Sequence, residues 1–335
     1  MTSLADIAAN PNWLPHRVDW SARQVEFLKI NDGQLTKPGF LADHQPEAAS
    51  AKAIVSVDDV LAMNVETGPL HFIFHTAFCR STLLSKALNI EGVSAGLSEP
   101  GIFANLSGAG DQAGPLVEPI MRLLSRKRGD AQAVFVKPTN HSNRLIPQLL
   151  QSCGDARAIL MSNPLETFLE SVARKGMHGR RWARNLLLEM QSYAGMDFGM
   201  DERELFCMSD MQAAGLAWFL NQNYFHALAS SAFGPRLRVL DGDIFNTQRA
   251  VTIGSVLKFA SVEHSDQHIA DAVSGPTFAS HSKLGGGFDG DKGPTNAALP
   301  DATSEEIAQV AQWIGMIIQQ TGQPLPLNQT LFTPQ

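Results

Sequence analysis

Cysteine is scarce in this chain of 335 residues: Cys79, Cys153 and Cys207 are the only three. So odd and sparse a set excludes a disulfide framework and fits a reducing compartment. No apolar run approaches the roughly 20 residues that a membrane-spanning helix needs. The opening Met1-Thr2-Ser3-Leu4-Ala5-Asp6 lacks the basic start and apolar core of a signal peptide. A cytoplasmic protein without membrane association is therefore expected. Basic clusters are also few, and the formal net charge is −7. The densest, Arg126-Lys127-Arg128, is short and reads as a solvated helix end, so no nucleic-acid partner is expected. The ten histidines show no metal-ligand spacing, and no metal is expected. Asp289 and Asp291 lack the spacing and closing glutamate of a calcium loop. There is no internal repeat and no Walker A motif. What remains is an ordinary apolar fraction, 44%, enough to build one large α/β domain or two smaller ones.

One stretch organises the rest. His71-Phe72-Ile73-Phe74 is a short aromatic and aliphatic run suited to a buried strand. Thr76 to Arg80 forms a polar-tipped turn. From Ser81 the chain carries Leu83, Leu84, Ala87 and Leu88 at helix-face spacing, and Ser81 or Thr82 is placed to cap that helix. Strand, turn and helix start together present backbone N–H groups to one spot, where an anion is favoured. Arg80 adds a bidentate cation there, and Ser81, Thr82 and Ser85 add hydroxyl donors. Many α/β proteins carry such a turn and bind nothing at it, so the motif alone leaves both readings open.

Along the chain, residues 1–65 read as an N-terminal extension packed on a main domain at 66–335. Trp13 to Arg17 reads as an anchored loop, Val25 to Ile30 as a strand, and Val57 to Met63 as a helix capped near Ser56. His16 and Arg17 read as surface residues. Further strands are expected at 93–97, 133–137, 157–161 and 236–240, alternating with helices. This rhythm predicts a doubly wound parallel sheet flanked by helices. Ligands of such sheets lie outside the carboxyl ends of the strands, where Glu99, Lys137, Thr139, Asn140 and His141 fall. Glu99 next to Pro100 equally suits a helix start. The middle, 180–230, is helical, with Trp182, Leu186 and Met190 and then Leu216, Phe219, Leu220 and Tyr224 as core stripes. Residues 274–294 read as a Gly-rich and Ser-rich loop. A last helix opens at Thr303 or Ser304.

These motifs resemble those of the sulfotransferases, a family with a P-loop-like fold. Its loop, Pro-Arg-Ser-Gly-Thr-Thr-Leu, is matched by Cys79-Arg80-Ser81-Thr82-Leu83-Leu84, one residue shorter and without the glycine. Its second motif, a strand ending in Arg-Asp-Pro before a helix with a serine, is matched by Met161-Ser162-Asn163-Pro164 and Ser171. The match spans roughly residues 70–290. The resemblance implies that 3′-phosphoadenosine 5′-phosphosulfate is the sulfuryl donor. Arg80, Ser81 and Thr82 would hold its 5′ end, and Ser162 and Ser171 would stand at its 3′-phosphate, with Ser162 replacing the family's arginine. His281 and Lys283, beside Ser280 and a glycine run, resemble the family's closing loop. The family commonly dimerises, so a homodimer is expected.

Sulfuryl transfer needs a base and a positive charge near the leaving phosphate. Glu99 lies nineteen residues beyond Arg80, as the tyrosylprotein members' glutamate would after loss of one loop residue, and is the preferred base. His141, in a loose echo of the cytosolic members' Lys-Thr-His turn, is second. Lys137 would neutralise charge on the transferred group. The acceptor is unidentified. The alternative is a divergent P-loop protein that binds a nucleotide or anion without sulfotransferase activity. A nucleotide kinase fits less well, for want of a phosphate-loop lysine and a magnesium carboxylate.

Overall fold

In β4, Leu70–His75, all six residues are buried. Side chains of a strand alternate between faces, and here each face has its own cover. Phe72 and Phe74 pack with Val134, Val136, Ala158 and Leu160 on one side. Ile73 packs with Phe135, Ile159 and Met161 on the other. Burial on both faces is why the strands read as continuous apolar runs. β4 lies at the centre of a five-stranded sheet of order β5-β6-β4-β7-β8, with β5 at Ser94–Ser98, β6 at Ala133–Lys137, β7 at Ala158–Ser162 and β8 at Leu237–Asp241. Every pairing is parallel. All five strands fall within a residue or two of their expected places, in the α/β architecture expected. These features come from a computed structural model, which describes residues 2–279 and 298–332 apart from 36, 38 and 47.

The first face of the sheet is covered by the helices Ile102–Gly108, Gly114–Leu124 and Ile146–Ser152 and by a three-stranded antiparallel sheet. That sheet has the order β1-β2-β3, with β1 at Trp13–Asp19, β2 at Gln24–Lys29 and β3 at Lys52–Ser56. The stretch expected to be an anchored loop is thus the start of β1. The other face carries the helices Ser81–Ala87 and Arg249–Phe259. A separate helical layer joins Leu165–Arg174, Gly176–Ala194, Asp210–Ala229 and Asp301–Thr321 around Phe168, Leu186, Met190, Leu216, Phe219 and Ile314. The last helix begins at Asp301 behind Pro300, before the expected caps Thr303 and Ser304. No helix of the described residues is long and apolar enough to cross a membrane.

The cluster expected to be a solvated helix end is largely buried. Arg126 and Arg128 are 3% and 5% exposed. The Arg126 guanidinium donates to the carbonyls of Ile7, Ala8, Asn10 and Trp13, and its Nε donates to Leu123. Burial lowers its pKa to about 9, which leaves it charged at neutral pH. Arg128 reaches Pro11, Asn12 and Asp32. Arg126 therefore gathers carbonyls at and beyond the end of the short helix Leu4–Ala9, where the last helical carbonyls have no partner within the helix, and Arg128 ties down the chain that follows it.

Candidate active site

The turn after β4 has an unusual backbone. Ala77, Phe78 and Arg80 have φ of 72°, 56° and 62°, and Glu99, after β5, has 51°. Seven non-glycine residues with positive φ occur among the described residues, and these four lie at the carboxyl edge of the parallel sheet. A left-handed backbone costs a residue with a Cβ about 1–2 kcal/mol, so conformational strain is concentrated at the crevice. The turn contains no glycine, yet its backbone is left-handed at three positions. It makes Arg80, rather than Ser81 or Thr82, the residue at the helix cap position.

Polar side chains from three directions hold the turn in that shape. The His75 ring accepts from the Ala77 N–H at its Nδ1 (3.1 Å), so Nε2 carries the proton and donates to the Pro138 carbonyl (3.1 Å). Asn143 donates to the His75 carbonyl and Asn163 to the Phe78 carbonyl, each at 3.0 Å. The backbone of Asn163 is fixed in turn by the Trp218 indole, at 2.9 Å. Gly242, just past β8, is needed for close approach: a Cβ there would meet Asn163 Oδ1 at 2.3 Å and the Cys79 carbonyl at 2.5 Å.

Arg80 points from the turn to the next element of the crevice. Its NH1 pairs with Asp243 Oδ1 at 2.5 Å, and the other carboxylate oxygen of Asp243 accepts from Thr167 (3.0 Å). Ser81 and Thr82 are buried in the first turn of the helix. Ser162 ends β7, and Ser171 donates to the Thr167 carbonyl of its own helix (2.9 Å). His281 and Lys283 lie outside the described residues.

Glu99 and Lys137 meet. The Lys137 ammonium, fully buried, donates to the Glu99 carboxylate, and the Glu99 N–H donates to the Lys137 carbonyl at 2.7 Å. The Phe40 ring also packs on Lys137. Lys86 donates to the Lys37 carbonyl (2.5 Å), and its pKa falls to about 8, first through burial and then through the charge of Lys137. On the elements that form this edge, four buried polar atoms have no hydrogen-bond partner: Ser85 Oγ in the helix after β4, Ser98 Oγ at the end of β5, Asn140 Nδ2 after β6 and Asn163 Oδ1 after β7. Buried polar groups are rarely left so. An edge where several occur together has donors and acceptors to offer a ligand.

His141 faces the helix Gly176–Ala194. Its Nδ1 lies 2.6 Å from Glu189 Oε2, and the Trp182 indole N–H donates to its Nε2 at 3.1 Å. The pKa of His141 is raised, chiefly by the hydrogen bond to Glu189, against the opposing effect of burial and with added help from the charges of Glu189 and Glu99. Trp182 stands edge-on to Phe78 of the turn, with ring centroids 5.0 Å apart. Among the described residues no group of three or more His, Cys, Asp or Glu side chains is placed to hold a metal.

The sequence pointed to Arg80, Glu99, Lys137 and His141, and all four lie around the carboxyl edge. It does not point to Asp243, Lys86 or Glu189, and it places Trp182 only in a core stripe. Trp182 and Glu189 are seven residues apart, two turns of one helix face, and that spacing was the signal available.

No family model matches the chain, and no curated protein does. Among solved structures, it is similar to the sulfotransferase domain of the curacin biosynthetic pathway, at 11% identity and a TM-score of 0.42, over 78% of this chain and 99% of that one. It is also similar to a sulfotransferase from Alicyclobacillus acidocaldarius, at 14% identity and a TM-score of 0.41, over 78% of this chain and 98% of that one.

Proposed function

We propose that this protein transfers a sulfuryl group from 3′-phosphoadenosine 5′-phosphosulfate to an acceptor hydroxyl or amine. The observation that carries the reading is the convergence on one sheet edge of cations and a proton acceptor. Arg80 stands after β4 and reaches across to Asp243, Lys86 and Lys137 lie close to one another with Glu99 at the end of β5, and His141 with Glu189 follows β6. Positive charge favours an anionic donor and stabilises charge developing on its leaving phosphate. The strained turn and the four unpartnered polar atoms support a ligand at this place.

The residues fit the two ends of the donor unequally. Arg80, Ser81 and Thr82 suit its phosphosulfate end, once Arg80 exchanges Asp243 for the donor. At the 3′-phosphate end Ser162 stands where the family has arginine, and the Ser171 hydroxyl is engaged within its helix. Charge-assisted bonds to phosphate are worth about 1.5–3 kcal/mol each, so donor affinity rests mainly on the turn. This imbalance also favours the second reading, an anion-binding or nucleotide-binding protein without sulfuryl transfer. His281 and Lys283 are retained as candidate closing residues on the resemblance alone, as is a homodimer. A cytoplasmic setting belongs to the same reading, on the scarcity of cysteine in the sequence.

The test is a calorimetric titration of the purified chain with 3′-phosphoadenosine 5′-phosphate, ATP and inorganic sulfate. The proposed function predicts saturable binding of the first, at least about tenfold tighter than of the other two. Equal binding of all three favours the second reading. No binding of any of them overturns both.

A further inference from the structure

Glu99 is the nearer match to a family base, but its carboxylate is committed to the buried Lys137 ammonium. His141 is in a different position. Tryptophan can only donate at its indole nitrogen, so the Trp182 contact requires a lone pair on His141 Nε2. The ring proton is then on Nδ1, where it is donated to Glu189. The two helix residues together select one tautomer and leave the basic nitrogen facing a displaceable N–H group. His141 is 40% exposed and Glu189 27%, so the pair is accessible from solvent.

We infer that Glu189 is the positioning residue for a His141 proton acceptor, and that the Trp182 indole N–H occupies the place of the acceptor's O–H or N–H until substrate displaces it. The inference rests on the sulfuryl-transfer reading and deepens it. In the step, the acceptor's proton moves to His141 Nε2 and its freed electron pair forms the bond to sulfur. The bond from sulfur to the bridging phosphate oxygen breaks, with its pair left on 3′-phosphoadenosine 5′-phosphate. The imidazolium formed is stabilised by Glu189 and later returns its proton to solvent. The geometry selects among acceptors: a group without a hydrogen to donate has nothing to replace the indole with.

The Glu189 and Trp182 contacts act on His141 in opposite directions. A carboxylate on Nδ1–H favours imidazolium, whereas a donor on Nε2 favours neutral imidazole. Protonating Nε2 also sets one N–H against another and must expel the indole. The charged groups acting on the ring are Glu189 from the helix and Glu99 from the end of β5.

Nitrogen NMR of ring-labelled histidine in the full chain tests this, with the His141 signals assigned by loss in His141→Gln. The expected results are the Nδ1–H tautomer at high pH, and a midpoint that falls by about one pH unit in Glu189→Gln, recovers in Glu189→Asp and rises in Trp182→Phe. The Trp182 indole N–H signal should move with the same midpoint as His141. An Nε2–H tautomer, a midpoint unmoved in Glu189→Gln, or an indole signal indifferent to the titration overturns the inference. A second assay measures release of 3′-phosphoadenosine 5′-phosphate from the donor without acceptor, water being the nucleophile. Glu189→Gln should slow it by about tenfold or more and shift the acid limb of its pH profile with the NMR midpoint. An unshifted limb overturns the proton-acceptor role. If wild type binds no nucleotide while the NMR behaviour is as described, it is the sulfuryl-transfer reading that has failed, and the catalytic role with it.

Discussion

Arg80 and Asp243, 163 positions apart in sequence, are joined by a 2.5 Å ion pair across the mouth of the crevice. The guanidinium proposed to receive the donor therefore already holds a carboxylate. Asp243→Asn should release it and tighten binding of 3′-phosphoadenosine 5′-phosphate by up to about fivefold. The modest factor follows from both groups being partly exposed, where ion pairs are worth about 0–1 kcal/mol. Arg80→Ala should abolish binding with little change in melting temperature. Weaker binding in Asp243→Asn would show that the aspartate helps to build the site instead of competing for it.

Glu99 and Lys137 form a pair in which the lysine has no access to water. Removing one partner strands the other charge, and breaking a buried pair typically costs about 3–5 kcal/mol. Glu99→Gln should thus destabilise the fold by about 3 kcal/mol in urea titration, and Glu99→Gln with Lys137→Met should recover most of that. Unchanged stability in the single variant would mean that the two charges are separately solvated.

His71, at the start of β4, is buried beside Phe135, and burial lowers its pKa to about 4, with the charge of Arg157 adding to the effect. In the unfolded chain its ordinary value is 6.5. As pH falls below 6.5 the unfolded state takes up the proton first, so stability is lost between there and pH 4 and then levels off. The linked loss is about 3 kcal/mol. His71→Phe should flatten that part of the pH–stability curve, measured by urea midpoints from pH 7.5 to 4. Parallel curves for the two proteins would refute the assignment.

The Arg126 guanidinium bonds four carbonyls of the first thirteen residues. Arg126→Met should cost about 3 kcal/mol or more and raise amide exchange across residues 7–13. Lys127→Ala, at the exposed neighbour, should change neither. Equal exchange in Arg126→Met and wild type would mean that the segment is held by its apolar contacts alone.

The elements legible from sequence were those whose signal is local. β4, β6 and β7 are apolar because both faces are covered, and their runs announce them. β1 was missed because Pro15, His16 and Arg17 interrupt the alternation, and its register with β2 shifts between Pro15 and Arg17. The turn was legible in place and in its arginine, but not in conformation. Nothing about Ala77 or Phe78 encodes a left-handed backbone, which is imposed by His75, Asn143 and Asn163 from three parts of the chain. The partners of the site residues were illegible for the same reason. Trp182 reaches His141 from 41 residues away, and Asp243 reaches Arg80 from 163 residues away.

The clamp at Arg126 also bears on how the chain is made. Ile7 leaves the ribosome 119 residues before the side chain that will hold its carbonyl. At roughly 5–20 residues per second, the wait is on the order of ten seconds. The hairpin of β1 and β2 can pair during that time, since its contacts are near in sequence, but the sheet face that covers Trp13, Leu14 and Phe27 has not yet been synthesised. A segment made well before its cover is among the last to be settled, and its apolar side chains stand open to chaperones in the interval.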